Sequence, residues 1–263
     1  MLSTRALEGA PNWIDLASPD LDGALAFYGA LFGWTFRPLG PDAGGYGFFQ
    51  LDGRTVAGAM PTGAGRELPG WTVYFRSEDA EATAESAERA HGSVLFAPGD
   101  VMGLGRMAGL ADSAGAVFRV WQPGEVEGLD AADEPGALCW VELHTPDVAA
   151  GAAFYHRVLG LETSATEFPD GMYTCVNPPG AGEDAMFGGV VRSADDPADT
   201  GAGAYWLPYF AVTDPDAVAE QTRKGGGTVL LPPVTVPGVG RMARLTDPYG
   251  ARFAVIRGER PQG

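Results

Sequence analysis

Apolar positions along this chain fall into two alternating periods, and the alternation itself repeats. Residues 13–17 form a short apolar run of strand type. Ser18-Pro19-Asp20 then supplies turn and cap chemistry, and over 22–32 the apolar residues Leu25, Phe27 or Tyr28, Leu31 and Phe32 come at helical spacing until Gly33 stops them. Residues 46–51, 55–60 and 71–76 read as strands, 78–90 as an amphipathic helix closed by His91-Gly92, and 94–96, 106–110 and 116–121 as further strands. The pattern is two βαβββ units in each half and four in the whole chain, an α+β fold class.

The two halves are copies of one another. Trp13-Ile14-Asp15-Leu16 corresponds to Trp140-Val141-Glu142-Leu143 at an offset of 127, and Pro19-Asp20, Phe27-Tyr28 and Gly33 keep that offset to Pro146-Asp147, Phe154-Tyr155 and Gly160. Beyond a loop of unequal length the offset becomes 135. There Trp71, Tyr74-Phe75, Gly92, Gly105-Arg106-Met107-Ala108, Asp112, Gly115 and Phe118 recur as Trp206, Tyr209-Phe210, Gly227, Gly240-Arg241-Met242-Ala243, Asp247, Gly250 and Phe253. So many ordered matches, several of rare residue types, establish a duplication of halves of about 120 residues. The run QPGEVEGLDAADEPGA between them has Pro, Gly and acidic residues without apolar periodicity. The expected organisation is one domain at 8–123, an acidic linker at 124–136 and a second domain at 137–258.

Composition narrows the function. The 263 residues carry 34 acidic against 17 basic side chains, a formal net charge of −17. Phosphate-tracking nucleic-acid binding depends on clustered Lys and Arg and is not expected. An acidic surface gains nothing from an anionic membrane, and no stretch approaches the roughly 20 apolar residues of a membrane span. The N-terminal Met1-Leu2-Ser3-Thr4-Arg5 leads into no apolar signal segment. Cys139 and Cys175 lie in strand-like runs without CxxC spacing, which suits buried free thiols in a reducing cytoplasm. A cytoplasmic protein is expected.

Two motifs carry a family resemblance. SPDLDGALAFYGALFGW and TPDVAAGAAFYHRVLGL resemble the first strand-helix of the glyoxalase/bleomycin resistance/dioxygenase (vicinal oxygen chelate) superfamily, and LTDPYGARFAV resembles that family's closing turn and last strand, with LADSAGAVFRV a looser copy. The tandem arrangement especially resembles actinobacterial proteins of the glyoxalase-like or hydroxylase type. The resemblance implies curled sheets around a cleft in each half. It also implies, in most enzymes of the family, a divalent metal held by His, Gln or Glu, a Lewis acid for two neighbouring oxygens or for O₂.

At the positions where the resemblance places those ligands stand Trp13 and Trp140, Thr72 and Leu207, and Arg119 and Ala254, while 56–60 and 188–191 offer no His or carboxylate. Trp, Leu and Ala do not ligate a divalent cation and Arg repels one. Only three histidines occur, His91, His144 and His156, and of these only His144 shares the cleft face with Glu142. No metal site and no cofactor are therefore expected.

Strand alternation puts Trp13, Asp15, Tyr74, Met107, Arg119 and Trp121 on the cleft face of the first half, and Trp140, Glu142, His144, Tyr209, Met242 and Arg244 on that of the second. Such an aromatic, thioether-rich surface with a few charges suits a flat, partly apolar small molecule. Asp15 and Glu142 are candidate acid–base groups. They equally suit structural pairing with Arg119 or Arg244, and Trp13 and Trp140 equally suit core packing. Phe27-Tyr28 and Phe154-Tyr155 read as helix-to-sheet packing. Arg119 against Ala254, Asp15 against Glu142 and Ala17 against His144 make the two clefts unequal. The expectation is a metal-independent binder of a small aromatic or hydrophobic molecule, of sequestration type. The alternative is an enzyme (lyase, isomerase or hydroxylase-like) using Asp15 or Glu142 with Tyr74 or Tyr209, or a metal site at positions other than those aligned above. The expected oligomeric state is a monomer, since the fusion supplies its own pseudo-dimer, or a weak homodimer.

Overall fold

The computed structural model describes residues 2–3, 7–63, 69–168, 171–195, 201 and 203–259. The expected signal-free N-terminus thus lies partly outside the described residues. The element order is β1 (Pro11–Ser18), α1 (Leu21–Phe32), β2 (Thr35–Pro38), β3 (Gly47–Leu51), β4 (Arg54–Pro61), β5 (Gly70–Arg76), α2 (Ala80–Arg89), β6 (Ser93–Asp100), β7 (Gly105–Ala111) and β8 (Val117–Pro123). The second half repeats it as β9 (Leu138–Thr145), α3 (Val148–Leu159), β10 (Glu162–Phe168), β11 (Gly171–Asn177), β12 (Gly188–Arg192), β13 (Tyr205–Ala211), α4 (Pro215–Lys224), β14 (Thr228–Val236), β15 (Gly240–Thr246) and β16 (Arg252–Gly258). Four βαβββ modules result. They form two eight-stranded sheets, ordered β2-β3-β4-β1-β5-β8-β7-β6 and β10-β11-β12-β9-β13-β16-β15-β14.

Local chemistry explains the helices. Each begins at an aspartate whose carboxylate accepts from a first-turn amide: Asp20 from Gly23, Asp79 from Ala82, Asp147 from Ala150 and Asp214 from Ala217. α1 and α3 end at Gly33 and Gly160, both left-handed with φ of 73° and 69°. Two strands, β2 and β10, have no counterpart in the apolar pattern. They stand at the sheet edges, and Thr35-Phe36-Arg37-Pro38 is largely exposed, so neither needs a buried face to write a period into the sequence.

Contacts divide the chain into two compact units that do not follow the halves. One comprises Met1–Trp13, Thr72–Gly128 and Trp140–Leu207, and the other Ile14–Trp71, Leu129–Cys139 and Pro208–Gly263. The first therefore joins the second module to the third, and the second joins the first module to the fourth.

Each unit is tied by the same relay. In one, the Trp206 indole donates to the Tyr155 hydroxyl at 2.7 Å, and Tyr155 donates to the Asp112 carboxylate at 3.3 Å. In the other, Trp71 donates to Tyr28 at 2.9 Å and Tyr28 to Asp247 at 3.3 Å. Both aspartates also cap their own turn: Asp112 accepts from the amides of Ala114 and Ala116, and Asp247 from those of Tyr249 and Ala251. The tyrosines do pack helix to sheet, as their sequence context indicates: Tyr28 meets Phe32, Trp34, Phe49 and Phe253, and Tyr155 meets Phe75, Phe118 and Phe154. Their hydroxyls add a polar link between modules of different halves.

Burial pushes the Asp112 and Asp247 carboxyls above the ordinary aspartate range, against the amide and tyrosine hydrogen bonds that lower them. Burial likewise holds Tyr28 and Tyr155 well above the usual phenol range, helped by the neighbouring aspartate charge. A carboxyl whose folded pKa is raised contributes stability at low pH and loses it as pH rises through the folded value. In urea unfolding at a series of pH values, the wild type should lose stability relative to the Asp112→Asn/Asp247→Asn variant as pH climbs from the ordinary aspartate range into the weakly acidic range. A constant difference would contradict the assignment.

The segment joining the halves is held along its length. Within one unit Asn12 donates to the Glu127 carbonyl and Trp121 to that of Val126. Within the other, Asp130 accepts from the Thr55 amide and Trp34 donates to the Gly136 carbonyl. Cys139 and Cys175 are buried and free, and burial pushes the Cys139 thiol up.

Candidate functional site

β1 and β9 each place a carboxylate over a glycine of the neighbouring parallel strand. Asp15 lies opposite Gly58, and Glu142 opposite Gly189. A tyrosine from the next hairpin reaches across that glycine. The Tyr46 hydroxyl donates to Asp15 at 2.7 Å, and the Tyr173 hydroxyl to Glu142 at 2.8 Å. The glycines make this possible. A Cβ at Gly58 would stand 2.1 Å from the Asp15 oxygen and 2.2 Å from the Tyr46 hydroxyl, and one at Gly189 2.0 Å from the Tyr173 hydroxyl.

The second-half group extends further. The Trp140 indole donates to Tyr173 at 3.1 Å, giving a Trp140–Tyr173–Glu142 chain. The other Glu142 oxygen meets His144 Nε2 at 2.9 Å, with both side chains buried. The His144 ring stacks on Tyr205, 4.6 Å between centroids and 3° from parallel. A carboxylate held on one oxygen by a phenol and on the other by an imidazole is fixed in orientation, and the imidazole beside it can hold or release a proton. Tyr46, Tyr173, Tyr205 and the two glycines were not among the residues the strand alternation singles out. The offset of 127 between Tyr46 and Tyr173, equal to that between Asp15 and Glu142, is the signal that could have found those two tyrosines.

The remaining expected residues group by register. On one unit Tyr74 and Gly109 both stand opposite Arg119, and Met107 opposite Trp121, so Tyr74, Met107, Arg119 and Trp121 share a face. The buried Arg119 guanidinium donates to the Tyr74 hydroxyl. It lies 5.2 Å from the centroid of the Tyr74 ring and 5.5 Å from that of Phe96, within cation–π range. On the other unit Tyr209 and Arg244 stand opposite Ala254, and Met242 opposite Ile256. Arg244 donates to the Tyr209 hydroxyl at 3.4 Å. Trp13 is buried.

Among the described residues, no three His, Cys, Asp or Glu side chains come together in an arrangement able to hold a metal ion. Glu142 and His144 supply two such groups, and the Glu142 oxygen not facing the imidazole accepts from Tyr173.

The βαβββ modules, the duplicated carboxylate-bearing first strands and the Asp-capped closing turns define the class. The chain belongs to the Glyoxalase/Bleomycin resistance protein/Dioxygenase superfamily, which it matches over residues 10–120 and 137–255. Among individual relatives, the anthracycline biosynthesis protein DauV of Streptomyces sp. (strain C5) is 39% identical over 272 residues, covering 96% of this chain and 94% of its own. The 2,3-dioxygenase LapB from Pseudomonas sp. KL28 superimposes with a TM-score of 0.63 at 13% identity, covering 97% of this chain and 96% of its own. The Mn(II)-bound glyoxalase from Novosphingobium aromaticivorans gives a TM-score of 0.60 at 15% identity, over 94% of this chain and 81% of its own. At those identities the two solved structures share the fold alone. No helix among the described residues is long and apolar enough to cross a membrane.

Proposed function

We propose that this chain is a metal-independent member of its superfamily that binds a small, flat, partly aromatic organic molecule. The observation that carries the reading is what occupies the positions where the family resemblance places metal ligands: Trp13 and Trp140, Thr72 and Leu207, Arg119 and Ala254. Their side chains serve other ends, the Trp140 indole binding Tyr173 and the Arg119 guanidinium packing against Tyr74 and Phe96. A divalent cation needs oxygen, imidazole or thiolate donors in a set. The Glu142–His144 pair does not make one, so no step is routed through a metal. Kinship with an anthracycline biosynthesis protein supports a fused-ring, oxygenated aromatic as the ligand class. In this reading domains at 8–123 and 137–258, joined by 124–136, act in the cytoplasm as a monomer or weak homodimer without cofactor or nucleic-acid partner.

Thermal unfolding with a panel of hydroxylated and carboxylated anthraquinones tests it. A ligand present at 100 times its Kd stabilises by about 2.7 kcal/mol. The expected melting shift is the same with and without EDTA; a shift that EDTA abolishes contradicts metal independence.

A second reading is favoured by the Tyr173–Glu142–His144 arrangement: an enzyme in which Glu142 moves a proton on the ligand while Tyr173 and His144 hold it in place. Glu142→Gln keeps an acceptor for Tyr173 and removes the basic oxygen. Turnover of an identified substrate should then fall by roughly 10²–10⁴, the usual contribution of a positioned acid–base group. Ligand binding with no turnover in the wild type, and affinity nearly unchanged in Glu142→Gln, would leave binding alone.

A further inference from the structure

We propose that Tyr28 and Tyr155 are one-electron donors: each gives an electron, by way of its partner tryptophan, to a radical oxidant of the peroxyl class and passes its phenolic proton to the facing aspartate. This activity is independent of the ligand reading above, because electron transfer needs no opening beside the donor.

One ordered chain recurs in both units. An indole N–H donates to a phenol oxygen, and that phenol donates to a carboxylate: Trp71, Tyr28 and Asp247 at 2.9 and 3.3 Å, and Trp206, Tyr155 and Asp112 at 2.7 and 3.3 Å. The rings touch as well as the polar atoms. Trp71 lies 5.3 Å from Tyr28 between centroids, and Trp206 5.1 Å from Tyr155. The tyrosines are sealed, Tyr28 at 0% exposure and Tyr155 at 2%. Trp71 is half-buried and so links the sealed Tyr28 to the surface, and Trp206 is 5% exposed.

A tie between modules needs only a donor and an acceptor, and these chains hold more. The phenolic proton has a place to go. In each aspartate Oδ1 takes the turn amides and Oδ2 faces the tyrosine. Burial disfavours the ionised carboxylate and the phenolate alike. A proton that crosses as the electron leaves turns the buried carboxylate into a neutral acid and the tyrosine into a neutral radical, so no buried charge is created. The radical oxygen then keeps two donors, the indole N–H and the newly protonated carboxyl.

The step balances. One electron passes from the tyrosine to the peroxyl radical, which becomes a peroxide anion. The tyrosine O–H bond breaks, an O–H bond forms on the aspartate, and the products are a phenoxyl radical and a carboxylic acid. An oxidised indole draws an electron from a phenol that can release its proton, so the tryptophan carries the oxidation inward. Other phenol–carboxylate pairs lack the enclosure: Tyr249 bonds Asp20 in an exposed contact, and Tyr173, bonded to Glu142 and Trp140, is only half-buried. A radical there is open to water and to other chains, whereas at Tyr28 and Tyr155 it is shielded from both.

The test is electron paramagnetic resonance of the full chain, freeze-quenched after oxidation by photogenerated ruthenium(III) tris-bipyridine. The wild type should give a long-lived neutral tyrosyl radical, identified by the narrowing of its spectrum when the tyrosines are ring-deuterated. Tyr28→Phe and Tyr155→Phe should each remove one component, and the double variant the whole long-lived signal, with the fold checked by circular dichroism. Tyr249→Phe should leave the signal intact. Asp112→Asn/Asp247→Asn keeps an acceptor for the turn amides and removes the base, so it should lose the long-lived signal too; it carries the test should the phenylalanine variants fail to fold. Absence of a long-lived tyrosyl radical in the wild type overturns the proposal. So does its persistence in the folded double phenylalanine variant or in the folded double asparagine variant. A purely structural tie predicts no such radical.

Discussion

Asp247→Ala is expected to destabilise the protein by about 3–5 kcal/mol, and Asp112→Ala by a similar amount, in urea or thermal unfolding. Each substitution removes the acceptor of two backbone amides and of a buried tyrosine hydroxyl. Unsatisfied buried donors cost about 1–3 kcal/mol each, partly relieved where the turn can admit water. The loss is a large fraction of the 5–15 kcal/mol typical of a folded domain. It exceeds the roughly 1 kcal/mol expected for an exposed helix cap such as Asp79→Ala. Asparagine keeps an acceptor for the amides, so Asp247→Asn should recover more than half of the loss. A change below about 1 kcal/mol for alanine would show that the relay through Tyr28 to Trp71 does not hold the unit together.

Gly189→Val should have the second large effect, on the site first and on stability after it. The new Cβ would occupy the position of the Tyr173 hydroxyl, 2.0 Å away, so the tyrosine must leave Glu142 and with it the Trp140 indole. Overpacking of this kind costs about 1–3 kcal/mol. Glu142 then keeps its contact with His144 and loses the phenol that fixes its other oxygen. Turnover by an enzyme that uses Glu142 should fall at least about tenfold, as expected when a hydrogen bond to a charged group is lost. Tyr173→Phe separates the two causes, since it removes the hydroxyl without crowding the sheet. It should reproduce the functional loss with less destabilisation. Unchanged function in both variants would reduce the Tyr173–Glu142 pair to a structural contact.

Much of this architecture is legible in the chain. The 127 and 135 offsets, the Asp-capped helices and the glycine stops define four modules before any coordinates, because each is local and repeated. What is not legible is what joins distant residues. Tyr28 reads as a packing residue in its own helix, and nothing nearby in sequence announces its bond to Asp247, 219 residues away. The same holds for the compact units, which pair a module of one half with a module of the other. Edge strands β2 and β10 leave little apolar period because an edge strand need bury little.

The candidate site divides similarly. Alternation along β9 puts Trp140, Glu142 and His144 on one face, and the structure brings Glu142 to both Tyr173 and His144. Alternation could not find Tyr46 and Tyr173, which reach in from another hairpin across a glycine. Comparing the halves column by column also makes them look more different than they are. Arg119 and Ala254 are unlike residues in one column, yet the sheet register supplies the second arginine from Arg244.

The most direct measurement of the central proposal is the metal content of the full chain, purified without chelator and analysed by mass spectrometry for Fe, Mn, Zn and Ni. The proposal predicts far less than one metal ion per chain, and aromatic-ligand binding unchanged when any of these ions is added. Near-stoichiometric metal that is required for ligand binding would contradict it.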